Sequence, residues 1–112
     1  MAPLTLSVRI STPTNPENLV QFLVRMDVRL PHDMPADVAD DLRARERERA
    51  HEIQRAGKWP ELWRVVGRYA NVSRFDVDSA DELHELLTSL PLFPYMDVEV
   101  TALTRHPSKL DS

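Results

Sequence analysis

The chain has no cysteine and only two glycines in 112 residues. The first absence excludes disulfides, thiolate nucleophiles and cysteine-ligated metals. The second excludes a glycine-rich phosphate loop, which needs several glycines in close succession. No apolar run approaches the roughly twenty residues of a transmembrane helix. No basic segment followed by a continuous apolar one opens the sequence, so secretion is not expected, and a soluble cytoplasmic protein is. Positive charge is in the minority, fourteen Lys and Arg against eighteen Asp and Glu, for a net charge of −4. That balance argues against nucleic acid or an anionic membrane as partner. The four histidines, His32, His51, His84 and His106, are scattered. No pair has helical i, i+4 spacing, so no metal site is expected. A Ser/His/Asp triad has no local signature either.

What is present fits one domain with a single core. Residues 20–108 carry the periodic pattern, and 109–112 read as a tail. Residues 1–19 stand apart: Leu4, Leu6, Val8 and Ile10 alternate with polar residues, and a Ser/Thr/Pro/Asn loop follows. This arm is expected to be flexible, or to add an edge strand to its own or a neighbouring subunit. From Val20 to Leu30, the apolar residues Val20, Phe22, Val24, Met26, Val28 and Leu30 share one face of a strand that Pro31 ends. A long helix over 35–56 follows, closed by Gly57. Its apolar stripe is read as Val38, Leu42, Ala50 and Ile53, with Glu46 on the same stripe. Ser79-Ala-Asp-Glu82 is a capping box. It opens a second helix with Leu83, Leu86, Leu87 and Leu90 inward. A rigid loop, Pro91-Leu-Phe-Pro-Tyr95, leads to a last strand over 96–103.

Between the helices lies Trp59–Val77, the stretch around which the rest is organised. Gly67-Arg68 is read as a two-residue type II′ turn. Folding there places Leu62, Arg64, Val66, Tyr69, Asn71, Ser73 and Phe75 on one face, and Trp63, Val65, Ala70 and Val72 on the other. The order is β-α-β-β-α-β, an α+β, ferredoxin-like arrangement with a four-stranded antiparallel sheet and two helices on one face. Two helices leave the other face uncovered, and its apolar residues predict an oligomer packed sheet on sheet.

Polar groups on a core-like face need partners or a task. Glu46 is either a half-exposed partner of an arginine one turn away, or a carboxylate held against the sheet with its pKa raised toward use as a base. Arg64 either pairs with a helix carboxylate or holds an anionic ligand. Trp59 and Trp63 read as packing rather than as a ligand cage. Glu46, Tyr69 and Asn71, with Arg64 nearby, are the groups an enolisation site needs. One takes a carbon-bound proton and neutral donors stabilise the oxygen that becomes negative.

Trp59…Leu62-Trp63-Arg64…Gly67-x-Tyr69-Ala-Asn71…Phe75-Asp76-Val77 resembles the muconolactone Δ-isomerase family. So does the unusual run Leu90-Pro-Leu-Phe-Pro-Tyr-Met-Asp97, followed by Arg105-His106-Pro107. The likeness covers about Val20 to Ser108. It implies a cofactor-free isomerase on a ferredoxin-like fold, assembled as a decameric ring with sites near subunit boundaries. The implied role is in the 3-oxoadipate branch of aromatic catabolism. It also implies a catalytic carboxylate at Glu46 and site roles for Tyr69 and Asn71, with Arg64 or His106 anchoring a substrate carboxylate. Residues 1–19 have no counterpart in typical members, and Arg68 and Val72 depart from the family pattern. A dehalogenating branch acts on chlorinated lactones and is one alternative. The others are a cofactor-free monooxygenase on the same scaffold and a non-catalytic oligomeric binding module.

Overall fold

The computed structural model describes residues 19–110, so the expected N-terminal arm and the last two residues lie outside the described part. The order is β1 (Val20–Val28), α1 (Ala36–Arg55), β2 (Glu61–Arg64), β3 (Ala70–Val77), α2 (Ala80–Thr88), a 3₁₀ turn (Phe93–Tyr95) and β4 (Met96–Leu103). The strands form one antiparallel sheet in the order β2-β3-β1-β4. This is the ferredoxin-like α+β fold that the sequence predicts.

Alternation in β1 decides which face is the core. Phe22, Val24 and Met26 are buried, and they lie beside Phe75, Ser73 and Asn71 of β3. Ile53 and Ala50 of α1 and Leu83 and Leu87 of α2 close over them, with Leu90 just beyond α2. The Trp59 and Phe75 rings stack with centroids 4.7 Å apart. Trp59 is therefore core, while Trp63 is 62% exposed on the opposite face. The two tryptophans form neither a cage nor a packed pair.

Helix ends follow the local chemistry. Gly57 adopts φ 80°. Its N–H donates to the Gln54 carbonyl, and the Lys58 N–H donates to that of Ile53, which is the Schellman pattern. At α2 the Ser79 hydroxyl accepts from the Glu82 N–H at 3.1 Å. The Glu82 carboxylate accepts in return from the Asp78 N–H at 2.7 Å and pairs with Lys58, also at 2.7 Å. Ser79→Ala should lower stability by about 1 kcal/mol, the usual worth of an N-cap hydroxyl. A thermal melt with no shift would show that the Glu82 contacts alone hold this end.

Four expectations are corrected. First, β1 ends at Val28, two residues before the expected Leu30, although the Arg29 N–H still donates to the Tyr95 carbonyl at 2.7 Å in continuation of the β1–β4 register. Second, the N-terminal end of the α1 stripe uses Ala39, buried, where Val38 was expected; Val38 is 44% exposed. The face follows Ala39, Leu42, Glu46, Ala50 and Ile53, spaced three or four residues apart as one side of a helix requires. Third, the β2–β3 turn is closed by the Arg68 N–H donating to the Val65 carbonyl at 3.2 Å, so its central residues are Val66 and Gly67. Gly67, at φ 77°, sits second, as in a type II turn, and not first as in type II′. The register is the expected one regardless: Arg64 lies opposite Asn71 and Leu62 opposite Ser73. Fourth, the outer sheet face is mixed. Leu23 and Trp63 are exposed there, but Arg25–Asp27 and Arg74–Asp76 ion pairs lie between the apolar groups.

Candidate active site

A cleft of about 580 Å³ opens between α1 and the β2–β3 end of the sheet. Its lining includes Glu46 and Arg47 from α1, Leu62 and Arg64 from β2, Tyr69 and Asn71 around the start of β3, and Leu92. The sheet register explains the grouping. Arg64 and Asn71 are cross-strand partners, and Asn71 lies beside Met26 of β1. The next residue on that face toward the turn is Tyr69. Glu46 comes from the helix packed above this row, one turn before the buried Ala50. The cleft thus gathers Glu46, Tyr69, Asn71 and Arg64. It does not include His106, which sits on the exposed C-terminal segment with its Nδ1 accepting from the Ser108 N–H at 3.0 Å.

Glu46 is half-buried, and burial pushes its carboxyl above the ordinary 4.5. One oxygen, Oε1, accepts a hydrogen bond from the Leu92 N–H at 2.9 Å. That bond favours the ionised form and opposes the shift, but desolvation outweighs it. Among the described residues no arginine pairs with the carboxylate: Arg43, Arg45 and Arg49 pair instead with Asp40, Asp41 and Glu52. The outcome is an oriented, under-solvated carboxylate whose second oxygen has no hydrogen-bond partner among the described residues. Leu92 went unnoticed in the sequence because its contribution is a backbone N–H. The only signal was the stiff Pro91–Pro94 frame, which fixes where that N–H points.

Tyr69 and Asn71 are each held from one side. Arg43 Nε donates to the Tyr69 hydroxyl oxygen at 3.3 Å. The Arg43 and Arg64 guanidiniums lie 5.8 and 5.6 Å from the Tyr69 ring centroid, within cation–π range. With its oxygen accepting from Arg43, the phenol keeps its own proton to donate. Ser73 Oγ donates to Asn71 Oδ1 at 2.8 Å, leaving the amide N–H groups for other acceptors. Among the described residues Arg64 forms no ion pair and makes one long hydrogen bond, Nη1 to the Arg68 carbonyl at 3.4 Å. The cleft therefore combines a raised-pKa carboxylate, two neutral donors and a guanidinium with no carboxylate partner among the described residues. This set can move a proton between carbons of an acidic C–H substrate and bind an anionic group beside it.

The family model described as muconolactone delta-isomerase matches residues 20–109. Among curated proteins, the muconolactone delta-isomerase of Cupriavidus pinatubonensis is 63% identical over 89 residues, covering 80% of this chain and 97% of that protein. The muconolactone delta-isomerase of Rhodococcus opacus is 58% identical over 87 residues, covering 78% of this chain and 94% of that protein. A crystal structure of muconolactone isomerase superposes with a TM-score of 0.78 at 53% identity, covering 82% of this chain and 96% of that one. Sequence, fold and the contents of the cleft agree, and the chain belongs to the muconolactone delta-isomerase family.

Proposed function

We propose that this chain isomerises muconolactone to the 3-oxoadipate enol-lactone by a proton shift that the protein's own side chains carry out. The substrate is a butenolide with a carboxymethyl arm, and its ring C–H is vinylogous to the lactone carbonyl. Glu46 takes that proton through its second oxygen, and the electron pair moves through the C=C bond into the carbonyl to give a dienolate. The Tyr69 hydroxyl and the Asn71 amide donate to the oxygen that becomes negative. One such preorganised donor is worth about 3–4 kcal/mol. The protonated Glu46 then returns its proton to the carbon α to the carbonyl. No net proton, electron or water is consumed. Arg64 holds the carboxylate arm by a charge-assisted pair. His106, outside the cleft of its own protomer, would contribute only across a subunit boundary.

The observation that carries this reading is the Glu46 carboxylate, desolvated and tethered by the Leu92 N–H in the cleft that Tyr69 and Asn71 line. A homo-oligomer, the decamer the resemblance implies, fits the same picture. Leu62 and Tyr69 on the cleft wall are 43% and 39% exposed, and a dienolate needs a drier site than that. The test is ultraviolet-monitored turnover of muconolactone by the purified protein. Steady conversion to the enol-lactone is expected; a substrate left unchanged at micromolar enzyme would refute it.

The raised Glu46 pKa has two consequences with pH. Catalysis needs the ionised form, so kcat/KM should fall as pH drops through a value above 4.5. Stability moves the other way. The native state holds this proton more tightly than the unfolded chain, so the associated stability is complete below 4.5 and is lost as pH rises through the native value. A thermal midpoint compared with that of Glu46→Gln should therefore match in acid and fall below it near neutrality.

A further inference from the structure

Ser73 is fully buried, and it is the one buried polar side chain among the described residues. Its neighbours on the inner face are apolar: Leu62 across on β2, Val24 across on β1 and Phe75 along β3. A hydroxyl in such a slot is unfavourable unless it is bonded, and alanine or valine would suit the core better. Among the described residues the hydroxyl has one bond, to Asn71 Oδ1 at 2.8 Å, made two residues along the same face of β3. Asn71 lines the cleft and Ser73 does not, so the bond is made from behind the carboxamide.

A carboxamide is nearly symmetric in shape and opposite in polarity at its two ends. Turned one way, Asn71 offers N–H donors to the cleft; turned by 180°, it offers a carbonyl oxygen that repels an anion. In the reversed orientation the amide would donate to the Ser73 oxygen, and the buried hydroxyl proton would lose its acceptor. Leaving a buried donor unpaired is unfavourable, so the hydroxyl selects the donor-forward orientation.

We propose that Ser73 is a positioning residue for the isomerisation, fixing the Asn71 carboxamide with its N–H groups toward the developing oxyanion. The proposal rests on the reading of Asn71 as an oxyanion donor. Its action is confined to the transition state, where charge builds on the substrate oxygen. Ground-state binding, which Arg64 dominates, is left largely unchanged.

The experiment is a double-mutant cycle read in kcat and KM. Ser73→Ala should lower kcat about tenfold or more while KM stays within about threefold, since removing a donor costs on the order of 10²–10³ and misorienting one costs part of that. Asn71→Ala should lower kcat further, and adding Ser73→Ala to it should change nothing more. Ser73→Cys, close in size and a weak donor, should lie between serine and alanine, and it carries the test if the alanine variant does not fold. An equal loss from Ser73→Ala with and without Asn71 would make Ser73 a purely structural residue and overturn the proposal. So would a normal kcat in Ser73→Ala beside a slow Asn71→Ala. A normal rate in Asn71→Ala would instead refute the donor role on which the proposal stands.

Discussion

Glu46→Gln should lower kcat by roughly 10⁴-fold, the upper end of what a general acid–base residue supplies, because the same group takes the proton and returns it. The amide is nearly isosteric. Its oxygen can still accept from the Leu92 N–H, which lies 2.9 Å from Oε1 in the native protein. The loop and the helix are therefore held as before, and substrate affinity should be kept. The variant should also be the more stable protein near neutral pH, since it removes a charge that burial disfavours. Loss of turnover with gain of stability is the signature of a carboxylate kept for chemistry rather than for folding. Near-normal turnover would mean that another base operates.

The second large effect is expected at Tyr69. Tyr69→Phe should lower kcat by about ten- to a thousandfold, with little change in the binding of an unreactive lactone. The ring stays, and with it the contacts to the Arg43 and Arg64 guanidiniums at 5.8 and 5.6 Å. Only the hydroxyl is lost. Arg43 loses a 3.3 Å bond but keeps its ion pair with Asp40, so no buried cation is stranded. The kinetic change thus isolates the donor. An unaltered kcat would reduce Tyr69 to a wall of the cleft.

The frame of this fold was legible because its signals are local. Strict alternation fixed the inner face of β1. The glycine after α1 and the capping box before α2 fixed helix ends. The parity of β2 and β3 put Arg64 and Asn71 side by side even though the turn is centred one residue earlier than expected, because both turns pair Val65 with Ala70. Glu46 was legible as a polar interruption of an apolar stripe. Partners set by tertiary approach were not. The Leu92 N–H reaches Glu46 from a loop 46 residues away, and no side-chain pattern records a backbone donor. Ala39 replaces Val38 because of helical phase: at roughly 100° per residue, Ala39 lies about 20° from Glu46 round the helix and Val38 about 80°. Ser73 was visible as a polar residue on a core face, but its partner could be named only once the two side chains were seen 2.8 Å apart.

The central claim is that one carboxylate, Glu46, carries hydrogen from the ring carbon to the carbon α to the carbonyl over a single face of the lactone. Running the isomerisation in D₂O and locating the label by NMR tests it directly. A single base predicts any deuterium gained at the α carbon to lie on the face from which the ring proton left. Deuterium on the opposite face would require a second acid across the substrate and would contradict the account.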